Sequence, residues 1–147
     1  MKKGLFILLI FCFSLTVFSC SDEKEESTTT TDTTAQVIAE VTVVTTLAGT
    51  GNEGLSDGTG TSASFDNPGG ITTDGTNLYV ADIDNHLIRK IVISTGAVTT
   101  VAGTGSAGSA NGTGTSASVY YPRAITTDGT NLYVADTNNN RIRKIVL

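Results

Sequence analysis

Asn77-Leu78-Tyr79-Val80-Ala81-Asp82 returns without one change as Asn131-Leu132-Tyr133-Val134-Ala135-Asp136. The match runs outward in both directions. Ile71 to Asp82 is repeated at Ile125 to Asp136, and Val44-Thr45-Thr46-Leu47-Ala48-Gly49 aligns with Val98-Thr99-Thr100-Val101-Ala102-Gly103, always at an offset of 54 residues. Gly58 to Ser64 recurs at Gly112 to Ser118 in the same register. A unit of about fifty residues is one propeller blade or a related element, which cannot bury its own faces and must stack on a like neighbour. The run Leu78-Tyr79-Val80-Ala81 sharpens this reading. A strand with one face in water alternates apolar and polar residues, whereas one that is apolar throughout is covered on both sides.

Around that strand each unit reads as a four-stranded antiparallel meander. Gly70 to Thr73 leads through the turn Asp74-Gly75-Thr76-Asn77 into Leu78 to Ala81, and the turn Asp82 to Asn85 leads into Leu87 to Ile93. Ser94-Thr95-Gly96 then introduces Val98 to Ala102. Sixteen glycines, two prolines and no tryptophan agree with short strands and tight turns. The fold class expected is all-β, with two propeller blades in a body at 41–147 and units at about 44–97 and 98–147. An outermost strand is expected at Val41 to Ala48, so the strand count is circularly offset: the body opens on an outer strand and ends on inner ones.

Ahead of the body, Lys2 and Lys3 precede the apolar run Leu5 to Phe18, and Ser19-Cys20 closes it before Ser21-Asp22-Glu23-Lys24-Glu25-Glu26. This is the layout of a signal peptide at 1–19. Val17-Phe18-Ser19-Cys20 resembles the lipobox of bacterial lipoproteins, which implies acylation of Cys20 and a membrane partner through that anchor. Ser21-Asp22-Glu23 resembles an acidic signal that routes lipoproteins to the outer face of the outer membrane, so the expected location is the outer membrane or cell surface. The Thr-rich stretch within 20–40 has no apolar period and reads as a spacer.

Charge narrows the partners. The chain carries 9 basic and 14 acidic residues, for a net charge of −5, and without Lys2 and Lys3 the balance shifts further to the acidic side. That argues against a phosphate-binding groove and a nucleic-acid partner. The two cysteines, Cys12 and Cys20, both precede the body, which leaves it without disulfide or thiolate metal sites.

Pro68-Gly69-Gly70-Ile71, Asn77 to Asp82 and Asn85-His86-Leu87-Ile88-Arg89-Lys90 resemble an NHL repeat, as do Pro122-Arg123-Ala124-Ile125, Asn131 to Asp136 and Asn139-Asn140-Arg141-Ile142-Arg143-Lys144. The resemblance covers 41–147 and implies a β-propeller that binds protein or glycan partners through the loops on one face, with no catalysis. It also implies an alternative, because similar gluconolactonase-type propellers are enzymes: a fragment or subunit of a lyase or lactonase. Propellers close rings of about four to eight blades, and two blades cannot. Two readings follow from that. One joins three chains as a homotrimer of six blades, each Val41 to Ala48 strand pairing with Ile142 to Leu147 of a neighbour; the other makes the chain a piece of a longer propeller.

Candidate chemistry is sparse. Asp82, Asp84 and Asn85, with Asp136, Asn138 and Asn139, could offer oxygens to calcium, but such turns commonly bond their own backbone, and no metal or cofactor is expected. Arg89, Lys90, Arg143 and Lys144 recur on the third strand, where they could pair with the turn carboxylates, and a solvated rim is the plainer reading. His86 is unrepeated, its counterpart being Asn140. Ligand-facing positions are expected on the long segments Thr50 to Asn67 and Thr104 to Tyr121 and on the turns beside them: Asn52, Glu53, Asp57, Phe65, Asp66, Asp84, His86, Tyr120, Tyr121 and Asn140.

Overall fold

The computed structural model describes residues 41–147. The leader 1–19, the spacer 20–40 and Cys20 lie outside the described residues. The repeat folds as read, into antiparallel meanders. In blade one, β1 (Gly58–Thr59), β2 (Pro68–Thr73), β3 (Asn77–Asp82), β4 (Leu87–Val92) and β5 (Ala97–Ala102) form a sheet in the order β1-β5-β4-β3-β2. In blade two, β6 (Pro122–Thr127), β7 (Asn131–Asp136) and β8 (Arg141–Val146) form a sheet in the order β6-β7-β8. The short β1 is part of the long segment before β2, and it adds to the outer edge by pairing Gly58 with Val98 and Thr59 with Ala97.

The expected strand at Val41 to Ala48 is corrected: that segment forms no strand here. A β-strand is made by its partner's hydrogen bonds, and this segment has no sheet edge of its own blade to pair with. Val43 and Val44 are exposed accordingly.

Burial tests the two-sided argument directly, because β3 and β7 have the same sequence. Tyr79, Val80 and Ala81 are all buried, whereas in β7 Leu132 and Val134 are buried and Tyr133 and Ala135 only half-buried. Blade one is covered by blade two on its Tyr79 face and by its own crossing segment over Val80 on the other, where Ile71 stays exposed, and blade two is covered on one face. Tyr79, Ala81, Ile88 and Ala102 of blade one pack against Ile125, Leu132 and Val134 of blade two. On the opposite face of β3, Val80 joins Ile91, Val98 and Ala63, with Ala48 and Phe65 packed against them. Near the inner edge the blades approach backbone to backbone: a Cβ on Gly70 would stand 2.8 Å from the Arg123 carbonyl oxygen and 2.9 Å from the Ala124 Cα. Only glycine permits that spacing.

The turns joining β2 to β3 and β6 to β7 are built alike. The Asp74 Oδ1 accepts from the backbone N–H of Thr76 and Asn77 at 2.8 and 2.7 Å, while its Oδ2 accepts from the Asn77 amide and the Tyr79 hydroxyl, both at 3.0 Å. Asp128 does the same with Thr130, Asn131 and Tyr133. Gly75 and Gly129, at φ +91° and +88°, supply the left-handed step. Hydrogen bonds from Asn77 and Thr76 hold the Asp74 carboxyl well below the ordinary carboxylate range, and those from Asn131 and Thr130 do so for Asp128. The Tyr79 hydroxyl is pushed up, by burial first and then by its bond to Asp74.

A carboxylate whose folded-state value is depressed contributes stability above its unfolded value of 3.8, and that contribution is lost as pH falls further toward the folded value. The thermal midpoint should therefore fall as pH is lowered below about 4. The fall should be shallower in the Asp74→Asn, Asp128→Asn double variant, as read by circular dichroism melts at stepped pH. Equal slopes in the two proteins would assign the acid sensitivity to other groups.

Candidate functional site

At one end of each blade the long segment before the inner strand meets the turn between the second and third strands. The contacts repeat. Asp66 N–H donates to Asp82 Oδ1 at 2.8 Å, Asp84 N–H to the Asp66 carbonyl at 3.2 Å, and the Asn85 amide to the Gly54 carbonyl at 2.8 Å. In blade two Tyr120 N–H donates to Asp136 Oδ1 at 2.7 Å, Asn138 N–H to the Tyr120 carbonyl at 3.1 Å, and the Asn139 amide to the Gly108 carbonyl at 2.7 Å.

Beneath this end lies a buried ion pair, which shows Arg89 and Arg143 pairing with the turn carboxylates and corrects the plainer reading of them as a solvated rim. The Arg89 side chain is fully buried and spends four hydrogen bonds on the fold. Its Nη1 donates to Asp82 Oδ2 at 2.8 Å and the Ser64 carbonyl at 3.0 Å; its Nη2 donates to the Ser56 carbonyl at 2.9 Å and Asp57 Oδ1 at 2.8 Å. The guanidinium also sits 5.0 Å over the Phe65 ring. Arg143 repeats the pattern with Asp136 Oδ2, the Ser118 and Ala110 carbonyls and Asn111 Oδ1. A long segment with little secondary structure of its own is thereby fastened to its sheet.

This network takes up several positions expected to face a ligand. Asp57 binds Arg89 and also accepts from Thr100 N–H and hydroxyl at 3.2 and 3.1 Å, so it staples β5. Phe65 lies beneath Arg89 and against the core. Both oxygens of Asp82 and of Asp136 are engaged by Arg, Asn and backbone donors. Sequence reasoning missed Ser64 and Ser118, whose hydroxyls accept from Ser56 N–H and Ala110 N–H. A signal was present, since Ser64, Asp82, Asn85 and Arg89 are matched by the same residue types at Ser118, Asp136, Asn139 and Arg143.

The remaining expected positions divide. Asn52, Glu53, Asp84 and Asn140 are exposed and Asp66 half-buried. Asn52 closes a local turn with the Thr50 hydroxyl, and Glu53 bridges Phe65. His86, Tyr120 and Tyr121 are brought together between the blades. His86 lies edge-on to Tyr120 and Tyr121 at 5.3 and 4.9 Å, and the two tyrosine rings are 5.1 Å apart. All three are half-buried. His86 and Tyr121 both have left-handed backbones, φ 56° and 53°. Their repeat counterparts Asn140 and Asn67 share that conformation; asparagine and histidine are among the residues enriched there, so the strain falls on the bulky Tyr121. Nδ1 of His86 lies 3.1 Å from the Ile83 carbonyl and 3.4 Å from Tyr121 N–H. The shorter contact favours the proton on Nδ1, which leaves Nε2 as the acceptor.

Two cavities adjoin the blades. One of about 530 Å³ runs along Ala48, Gly49, Phe65 and Asn67. The corresponding face of blade two is covered by blade one, with Gly103 packed on Leu87. The other, of about 440 Å³, runs along β8 beside Asn111 and Gly112. The first is lined by the segment that leads into β2 and the second by the edge of β8, and neither includes the aromatic cluster.

No family model matches the chain. It is 40% identical over 96 residues to NHL repeat-containing protein 2 of Bos taurus, covering 62% of this chain and 13% of that protein. Among solved structures, a Bacteroides thetaiotaomicron protein of unknown function is 32% identical with a TM-score of 0.61, over 65% of this chain and 25% of that one. An auxiliary nutrient binding protein from Bacteroides ovatus is 29% identical with a TM-score of 0.57, over 63% and 26%. The chain thus spans 13% of the curated relative and about a quarter of the solved structures. These matches support an NHL-repeat family, and the fold is that of β-propeller blades.

Removing one member of a buried ion pair strands the other, at a cost of about 3–5 kcal/mol. Arg89→Met should lose that much in urea unfolding, whereas Arg143→Met should lose less because the Arg143 side chain is 12% exposed and water can reach Asp136. Equal losses would show that burial does not set the difference.

Proposed function

We propose that this chain is a surface-tethered, non-catalytic propeller module that binds a glycan through the blade end carrying His86, Tyr120 and Tyr121. The observation that carries the reading is a break in the repeat. Where blade one has Asp66 and Asn67, blade two has Tyr120 and Tyr121, and where blade two has Asn140, blade one has His86. All three changes meet at one joint. Holding a bulky residue in the left-handed region costs about 1–3 kcal/mol, and such strain collects at functional sites. Half-exposed tyrosine rings with a hydrogen-bonding edge suit a sugar ring, whose C–H face stacks and whose hydroxyls need acceptors. The nutrient binding protein among the structural neighbours supports the same class of function.

Catalysis is the weaker reading of the same residues. Asp82 and Asp136 are tied to arginine and backbone, and His86 stands without a second histidine. The tether is Cys20, acylated after removal of 1–19, with 20–40 as spacer; the protein would then sit on the outer membrane or cell surface.

Screening the full chain against a glycan array should yield binders, and His86→Asn with Tyr121→Asn, the chain's own residues at the matching positions, should weaken them tenfold or more, about 1.4 kcal/mol. The thermal midpoint should hold, because relieved strain offsets the lost ring contacts. Unchanged affinity in that variant would remove the site, and binding confined to a protein array would replace the ligand class. Cys20→Ser should abolish incorporation of labelled palmitate in a bacterial host; retained label would refute the anchor.

A further inference from the structure

Asn111-Gly112 is the only Asn-Gly pair in the chain, and the repeat sets it against Asp57-Gly58. The two side chains hold the same place beside the same partner. Asp57 Oδ1 accepts from Arg89 Nη2 at 2.8 Å, and Asn111 Oδ1 accepts from Arg143 Nη2 at 3.0 Å. Arg89 therefore lies between two carboxylates, Asp57 and Asp82, whereas Arg143 has Asp136 and, where the second would stand, an amide. Blade one shows the arrangement blade two would reach if that amide became an acid.

The site is built for that change. Glycine after asparagine has no side chain to keep its backbone nitrogen away from the asparagine amide carbon. Folding also holds the residue as glycine, since a Cβ on Gly112 would stand 2.8 Å from the Ser116 carbonyl carbon and oxygen. Asn111 and Gly112 are both exposed, so water reaches them. That access does not depend on what lies beside β8, because Asp57, with β5 alongside, still exposes 49% of its side chain. Finally, a cation that donates to Oδ1 draws electrons from Cγ and makes it a better target for a nucleophile.

We propose that Asn111 is a self-modification site, at which the chain deamidates to aspartate and so completes a second ion pair for Arg143. In the first step the Gly112 nitrogen gives its proton to a solvent base and bonds to Cγ of Asn111. The Cγ–Nδ2 bond breaks and ammonia leaves, giving a cyclic imide. Negative charge gathers on Oδ1 as Cγ passes through its tetrahedral form, and Arg143 already donates to that oxygen. Water then opens the ring at either carbonyl. Addition at Cγ breaks the bond made in the first step and restores the ordinary main chain, with a carboxylate on residue 111. Addition at the main-chain carbonyl breaks the original peptide bond and leaves isoaspartate, whose main chain runs through Cβ and Cγ and is longer by a carbon. Either way one water is consumed and one ammonia released.

The fold favours the first opening. Arg143 polarises the Cγ carbonyl for the incoming water as it does for Gly112. A longer main chain also fits badly, because the residues on both sides are pinned. Ala110 N–H donates to Ser118 Oγ at 2.9 Å, the Ala110 carbonyl accepts from Arg143 Nη2 at 3.0 Å, and Gly112 is packed on the Ser116 backbone. The aspartyl product leaves those contacts in place and adds a charge opposite Arg143, so the crossing segment of blade two becomes fastened as that of blade one is. The change is one-way, which makes it a maturation step of the folded chain.

The test holds the full chain, folded in detergent at mildly alkaline pH, and samples it over days beside the same chain unfolded in urea. Trypsin releases Ile91 to Arg123, a peptide with Asn111 as its single amide side chain. Its mass should rise by the exchange of NH2 for OH, ahead of any peptide carrying another asparagine. An isoaspartyl methyltransferase should label a smaller share of the product from the folded chain than from the unfolded one, where Arg143 is not held at the amide. Asn111→Asp, which makes the product directly, should melt a few degrees above the fresh parent chain at neutral pH and lose that gain below about pH 4, as the carboxylate is protonated. A peptide that keeps its mass in the folded chain, or an equal isoaspartyl share in both, would overturn the proposal. An Asn111→Asp chain no more stable than its parent would remove the second ion pair and overturn it as well. The inference stands apart from the aromatic site, and its failure would leave glycan binding untouched.

Discussion

A β-sheet that is greasy on both faces must be covered on both, and the architecture of this protein follows from that requirement. The two Asn-Leu-Tyr-Val-Ala-Asp strands show it in one molecule. The copy with a blade on one face and the crossing segment on the other buries Tyr79, Val80 and Ala81, while the copy covered on a single face leaves Tyr133 and Ala135 half-buried. Since the strands are chemically identical, the difference belongs entirely to what is stacked on them. The exposed Ile71 and Ile142 are the same requirement unmet at the two ends of the array.

The second constraint is the length of the segment that crosses from one blade to the next. A stretch such as 50–67 has little ladder to satisfy its backbone, and it is held by side chains: Asp82 and Arg89 below it, Asn85 beside it and Ser64 within it. Burying these charges is tolerable only because each is paired and hydrogen-bonded. Once so fastened, the segment forms a stiff platform, and the residues left over at its end can be strained. Tyr121 uses that freedom, and Asn67 shows the relaxed alternative in the same backbone.

What the amino-acid sequence determined by itself was the unit and its strands. The 54-residue register, the Asp-Gly-Thr-Asn turns and the apolar strand are local or periodic signals, and local signals survive without coordinates. Tertiary structure alone decided which repeated residues are structural and which positions meet. Arg89 reads as a rim charge because strand alternation does not reveal that a distant loop folds over it, and Val41 to Ala48 reads as a strand because sequence carries propensity but not the partner edge. The joining of His86 to Tyr120 and Tyr121, 34 and 35 positions apart, was equally hidden. Contacts between blades depend on how sheets stack, and no pattern along one strand encodes what lies across from it.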